Sequence, residues 1–100
     1  MSTYYWTCGS GRLNLELTLD EAESCNHSDD CEADVLDLMR EPHIAAQLSK
    51  LPPAHVAAEL REYGAWEPEE LADHDANCKR LLWLACCDVS ENPDTYRGDA

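Results

Sequence analysis

Cysteine and histidine have the widest chemical scope in this chain, which holds six cysteines and four histidines in 100 residues. Cys25, His27 and Cys31 fall in one short stretch. Zinc takes thiolates and imidazoles from such segments, with the remaining ligand from elsewhere, here Cys8 or the pair His74 and Cys78. That pair is spaced i,i+4, so both side chains leave one face of a helix. The spacing around His27 matches no standard finger, and no C-x-x-C pair occurs. The simpler account is a loop followed by a helix-face cysteine, with no metal and no cofactor. A small zinc-stabilised structural or regulatory module is the alternative. A cysteine nucleophile beside a histidine is the other chemistry these types permit. No nucleophile elbow or glycine-rich phosphate loop accompanies them, and the expectation is a protein that is not an enzyme.

Carboxylates are the second group. The chain carries 21 acidic residues against 7 lysines and arginines, a formal net charge of −14. Glu16, Asp20, Glu21, Glu23, Asp29, Asp30, Glu32, Asp34, Asp37 and Glu41 follow one another with Arg40 as the only arginine or lysine among them. A later group is Glu59, Glu62, Glu67, Glu69, Glu70, Asp73 and Asp75, opposed by Arg61. Each run by itself reads as a solvated helix face. Their sum exceeds what solubility needs and costs stability through self-repulsion. Such a surface repels free nucleic acid and anionic membranes. It suits a basic protein surface that normally holds nucleic acid, because acids fixed on helices can stand where duplex phosphates would. Glu16, Asp20, Glu23, Asp29, Asp30, Glu32 and Asp34, beside the hairpin described next, are the residues expected to touch such a partner.

These groups need a frame. Leu13, Leu15, Leu17 and Leu19 alternate with polar residues, the period of a strand with one buried face. With the aromatic stretch Tyr4–Cys8 and the turn Gly9-Ser10-Gly11, the expectation is a β-hairpin over Tyr4–Leu19. Thr18 and Glu21 fit a capping box that opens a helical turn over Asp20–Ser24; Asp29 and Glu32 fit a second, opening a helix to Arg40. Pro42 and Pro53 suit the first turns of helices reaching Leu48 and Tyr63, and Gly64 the stop of the latter. The longest helix is expected from Pro68 to Val89. Leu71, His74, Cys78, Leu81, Leu82 and Ala85 draw its apolar stripe, and the run Leu81–Cys87 is apolar all round, which implies neighbours on every side. In that setting the cysteines act as small buried apolar side chains. Asp73, Asn77 and Arg80 share a face and can form a polar cluster. Trp66 reads as a structural corner, or as a binding anchor if exposed.

The fold class expected is therefore α+β: a two-stranded antiparallel hairpin packed on a small bundle of about four helices, one domain over residues 1–89, with a loose polar tail from Ser90 to Ala100. The start of the chain lacks a signal-peptide pattern, and no run is long enough for a membrane span. The host bacterial cytoplasm and a monomer are the corresponding expectations.

Several strings point to a family. Cys31-Glu32-Ala33-Asp34-Val35, His43-Ile44-Ala45, Glu62-Tyr63-Gly64-Ala65-Trp66, Asp73-His74 and Trp83 give the chain, over Tyr4 to Asp88, the character of small acidic proteins of proteobacterial mobile elements. Among these it resembles a type I-F anti-CRISPR family of similar length. The resemblance implies a stoichiometric phage-type inhibitor of the crRNA-guided surveillance complex. It would bind where the large subunit meets the backbone subunits and block target DNA, with no direct contact to nucleic acid. A transcriptional co-regulator from the same kind of element, acting by protein contact, is a further alternative.

Overall fold

A computed structural model of the chain describes residues 3–26 and 31–96. Strand β1 (Thr3–Thr7) pairs antiparallel with β2 (Asn14–Thr18), and Tyr4 faces Leu17 while Trp6 faces Leu15. These four side chains, with Cys8 and Leu13, form one buried face. The turn closes through Cys8 N–H to Leu13 O at 3.1 Å, and Gly11 takes φ 78°, a conformation that disfavours a side chain. The hairpin ends one residue earlier than its leucine period suggests. Thr18 Oγ1 accepts from Glu21 N, and Glu21 Oε1 accepts from Thr18 N, at 3.2 and 2.9 Å. This reciprocal cap converts Leu19 from the last strand residue into the first residue of helix α1 (Leu19–Asn26), which is longer than the expected turn.

Helices α2 (Cys31–Met39), α3 (Pro42–Ser49) and α4 (Pro53–Tyr63) follow. Both prolines sit at the start of their helices, where the missing N–H has no intrahelical partner to lose. Gly64 ends α4 at φ 72°. Val35, Leu38, Ile44, Leu48, Val56 and Leu60 point inward from these three helices. Asp29, half of the second expected cap, lies outside the described residues.

The central helix α5 runs His74–Glu91, with a short 3-10 turn, Glu70–Ala72, ahead of it. Its start differs from the expected Pro68. Asp73 has an extended backbone, and its carboxylate accepts from Asp75 N and Ala76 N at 3.0 and 3.3 Å. A side-chain cap on two free amides outcompetes a proline first-turn signal, so Glu67, Glu69 and Glu70 precede the helix. The far end differs too: α5 continues through Ser90, and Pro93–Tyr96 forms a last helix, α6, beside β1. Tyr96 packs against the core, so the tail expected to be loose from Ser90 is structured through Tyr96.

The architecture is α+β, a two-stranded hairpin on helices, with six α-helices among the described residues where about four were expected. Helix α1 lies along α5, and α4 and α2 flank it. Leu81, Leu82, Ala85, Cys86 and Val89 are fully buried; each large aliphatic side chain among them contributes about 1.5–3 kcal/mol. The run Leu81–Cys87 is not enclosed on every side. Trp83 is 40 % exposed and Cys87 half-buried, so that strip of α5 is less covered than its buried face. No helix among the described residues is long and apolar enough to cross a membrane.

Candidate functional site

Helical spacing gathers the acids of the first run into a groove. On α1, Asp20, Glu21, Ser24 and Cys25 recur at one, three and four residues and share a face. On α2, and just past it, Asp34, Asp37, Leu38 and Glu41 do the same. The two faces oppose each other across a cavity of about 460 Å³ lined by these eight residues. Glu21 is held on both sides, by the Thr18 amide and by His43 Nε2 at 2.7 Å. Asp37 pairs with Arg40 at 3.0 Å, in a bridge whose side chains are both exposed and which is worth well under 1 kcal/mol. Among the described residues, Asp20, Asp34 and Glu41 have no ion-pair partner. Helix ends without basic residues in their last turns leave this field uncompensated.

Of the seven residues expected to touch a partner, Asp20 and Asp34 lie in this groove. Glu23 is exposed on α1 outside it, and Glu16 is exposed on the outer face of β2, opposite Tyr5. Glu32 is exposed and receives Lys79 Nζ at 2.8 Å; that hydrogen bond, then the lysine charge, holds its carboxyl below the usual range. Asp29 and Asp30 fall outside the described residues. Glu21, Asp37 and Glu41 are the groove residues that the choice of seven missed. Their i,i+3 and i,i+4 spacing was visible, but the opposition of the two helices was not.

The second acidic run is not one solvated face. Glu59 is only 3 % exposed, and its Oε1 accepts from Ser10 N at 3.4 Å, beside Gly9. Burial, then the charge of Asp88, pushes the Tyr63 and Tyr96 hydroxyls above their ordinary pKa. The expected polar cluster is present, without Asp73, and is internally satisfied. Arg80 Nη1 donates to Asn77 Oδ1 and Glu70 O at 3.1 and 2.9 Å, and Asn77 Nδ2 donates to Leu71 O at 2.8 Å. The Arg80 guanidinium lies 5.5 Å from the centroid of Trp66, which packs against the core as a corner rather than standing free. The exposed tryptophan is Trp83.

His74 and Cys78 do share a helix face, with Cys78 Sγ 3.6 Å from His74 Nε2, beside a cavity of about 250 Å³ that Met39 and Leu48 also line. Burial first, then Asp75, raises the Cys78 thiol, the reverse of the activation that a nucleophile needs. Among the described residues no three His, Cys, Asp or Glu side chains converge as a metal site. His27 and the Cys31 side chain lie outside that description. Cys8 is buried in the hairpin turn, where its sulfur accepts from Leu13 N at 3.3 Å, and Cys25 is buried on α1.

Fold and surface together define a small acidic α+β protein whose distinctive feature is an acid-lined groove between its first two helices. No protein-family model, curated protein or solved structure matches the chain.

Proposed function

We propose that this protein is a non-enzymatic inhibitor of a type I-F CRISPR surveillance complex. It places carboxylates against basic DNA-recognition positions near the junction of the large and backbone subunits, and so blocks target DNA. One observation supports the reading above others: Asp20 and Glu21 on α1, Asp34 and Asp37 on α2, and Glu41 just past α2 line one groove, with few cations to neutralise them. Carboxylates fixed in this way need no reordering on binding, and their field steers a basic partner to them. The exposed Glu16 and Glu23 extend the acidic face beyond the groove.

The test uses a purified surveillance complex and the variant Glu16→Lys, Asp20→Lys, Glu23→Lys and Asp34→Lys, with circular dichroism to establish that it stays folded. Wild-type protein is expected to bind and to prevent the complex from shifting target DNA; the variant loses both. A folded variant that binds like wild type overturns the role of these acids. Failure of the wild-type protein to bind the complex overturns the reading itself.

A further inference from the structure

His74 and Cys78 stand one helical turn apart at the start of α5, and their side chains converge. Cys78 Sγ lies 3.6 Å from His74 Nε2 and 3.9 Å from Nδ1. Both residues line the cavity of about 250 Å³ between the start of α5 and helices α2 and α3, whose wall also carries Met39, Ala45 and Leu48. Met39 is the last residue of α2. A thiol, an imidazole and a thioether from two helices thus border one small space. That space shares no lining residue with the acid-lined groove.

We propose that Cys78, His74 and Met39 form a binding site for one soft monovalent metal ion, copper(I). The donor types select it, because thiolate and thioether sulfurs prefer a soft ion. Zinc ordinarily takes four nitrogen, oxygen or sulfur ligands, and among the described residues no three His, Cys, Asp or Glu side chains converge. The spacing fits as well. An ion about 2.3 Å from a thiolate sulfur and about 2.0 Å from an imidazole nitrogen sees the two at about 115° across the observed 3.6 Å, close to a trigonal angle. The terminal torsion of histidine is broad, so the ring can swing its Nε2 lone pair toward the ion. Three rotatable bonds let the Met39 sulfur come in as the third ligand. Ala45 and Leu48 give the ion apolar walls, which disfavour magnesium and calcium, ions that require several oxygen ligands. Asp75, on the same wall, adds negative charge that favours a cation there. On binding, the Cys78 proton leaves to solvent as the copper–sulfur bond forms, so the charge of this buried residue and its ion together stays at zero.

The experiment adds copper(I), as its acetonitrile complex, to the folded and fully reduced chain without oxygen. Bicinchoninate then competes for the metal, and the copper X-ray absorption spectrum of the protein is recorded. One copper per chain should survive the competition, in a shell of one nitrogen and two sulfur atoms, and an equimolar amount of zinc should not displace it. Cys78→Ser should abolish retention. Met39→Leu, which conserves volume, should weaken it by at least about tenfold, the least that losing even an outer partner costs a metal site. Cys25→Ser and Cys87→Ser should hold copper as the wild type does. The wild-type spectrum stands alone, so a misfolded variant does not decide the matter. No retained copper, an all-sulfur shell, displacement by zinc, or copper held equally well by folded Cys78→Ser or Met39→Leu overturns the proposal.

Discussion

The indole N–H of Trp6 donates to Oδ2 of Asp88 at 2.8 Å and ties the first strand to the last turns of the central helix. Trp6 has no exposed surface, so this donor has no water to turn to. Asp88→Leu removes the acceptor and is expected to cost about 1–3 kcal/mol, the penalty of a buried unpaired donor. Asp88→Asn keeps an acceptor oxygen and is expected to cost less. Urea unfolding followed by tryptophan fluorescence measures both, and equal midpoints for wild type and Asp88→Leu would contradict the assigned role.

Gln47 completes the edge of the sheet. Its Oε1 accepts from Glu16 N at 2.6 Å, and its Nε2 donates to Glu16 O and His43 O at 3.0 and 3.1 Å. The side-chain amide thereby acts as a third strand one residue long, on an edge otherwise open to pairing. Gln47→Ala should destabilise the protein by about 1–2 kcal/mol through these exposed hydrogen bonds. It should also speed hydrogen exchange of the Glu16 amide, read by NMR, more than that of the Leu15 amide on the paired side.

Stability should fall at alkaline pH. Cys78 is raised from an ordinary value of 9.0, chiefly by burial, and Tyr63 and Tyr96 are raised from 10.0, also chiefly by burial. A raised folded pKa means that the unfolded chain loses its proton first. The stabilisation is full below about pH 9 and is lost as pH rises through the folded values. Thermal midpoints at pH 8 and pH 10.5 test this. A midpoint unchanged between them would mean that these groups ionise as freely in the fold as out of it. At the acid end the sign reverses for Glu32: its lowered pKa gives stability that is present above its ordinary value and lost as pH falls through the folded one.

Binding to the surveillance complex, on the function proposed above, should depend on salt through the association rate. Steering by fixed carboxylates is screened over a Debye length of about 8 Å at physiological ionic strength. Raising salt from 50 to 500 mM is expected to slow association on the order of tenfold, with a smaller change in dissociation, as read by surface plasmon resonance. A salt-independent association rate would indicate that the acids contribute no steering.

Some features of this chain are written within four residues of where they occur. The alternation of Leu13, Leu15 and Leu17, the Thr18–Glu21 cap, the helix-opening Pro42 and Pro53, and the stop at Gly64 are short-range hydrogen-bonding, rotamer and backbone preferences. They located the hairpin and the edges of α3 and α4. Where two local signals competed, spacing alone did not rank them: Pro68 and Asp73 both mark a helix start, and the cap formed at Asp73.

Tertiary packing decided the rest. The exposure of Trp83, the docking of Tyr96, the contact of Trp6 with Asp88 and the opposition of Asp20 to Asp34 all depend on how helices cross and which face each turns to the core. A helical period says which residues share a face, but the partner of that face is fixed by shape and burial summed over the whole core. Composition and spacing therefore set the charge of the molecule and the outline of its elements. The assembly of scattered carboxylates into one groove came from the packing of α1 against α2.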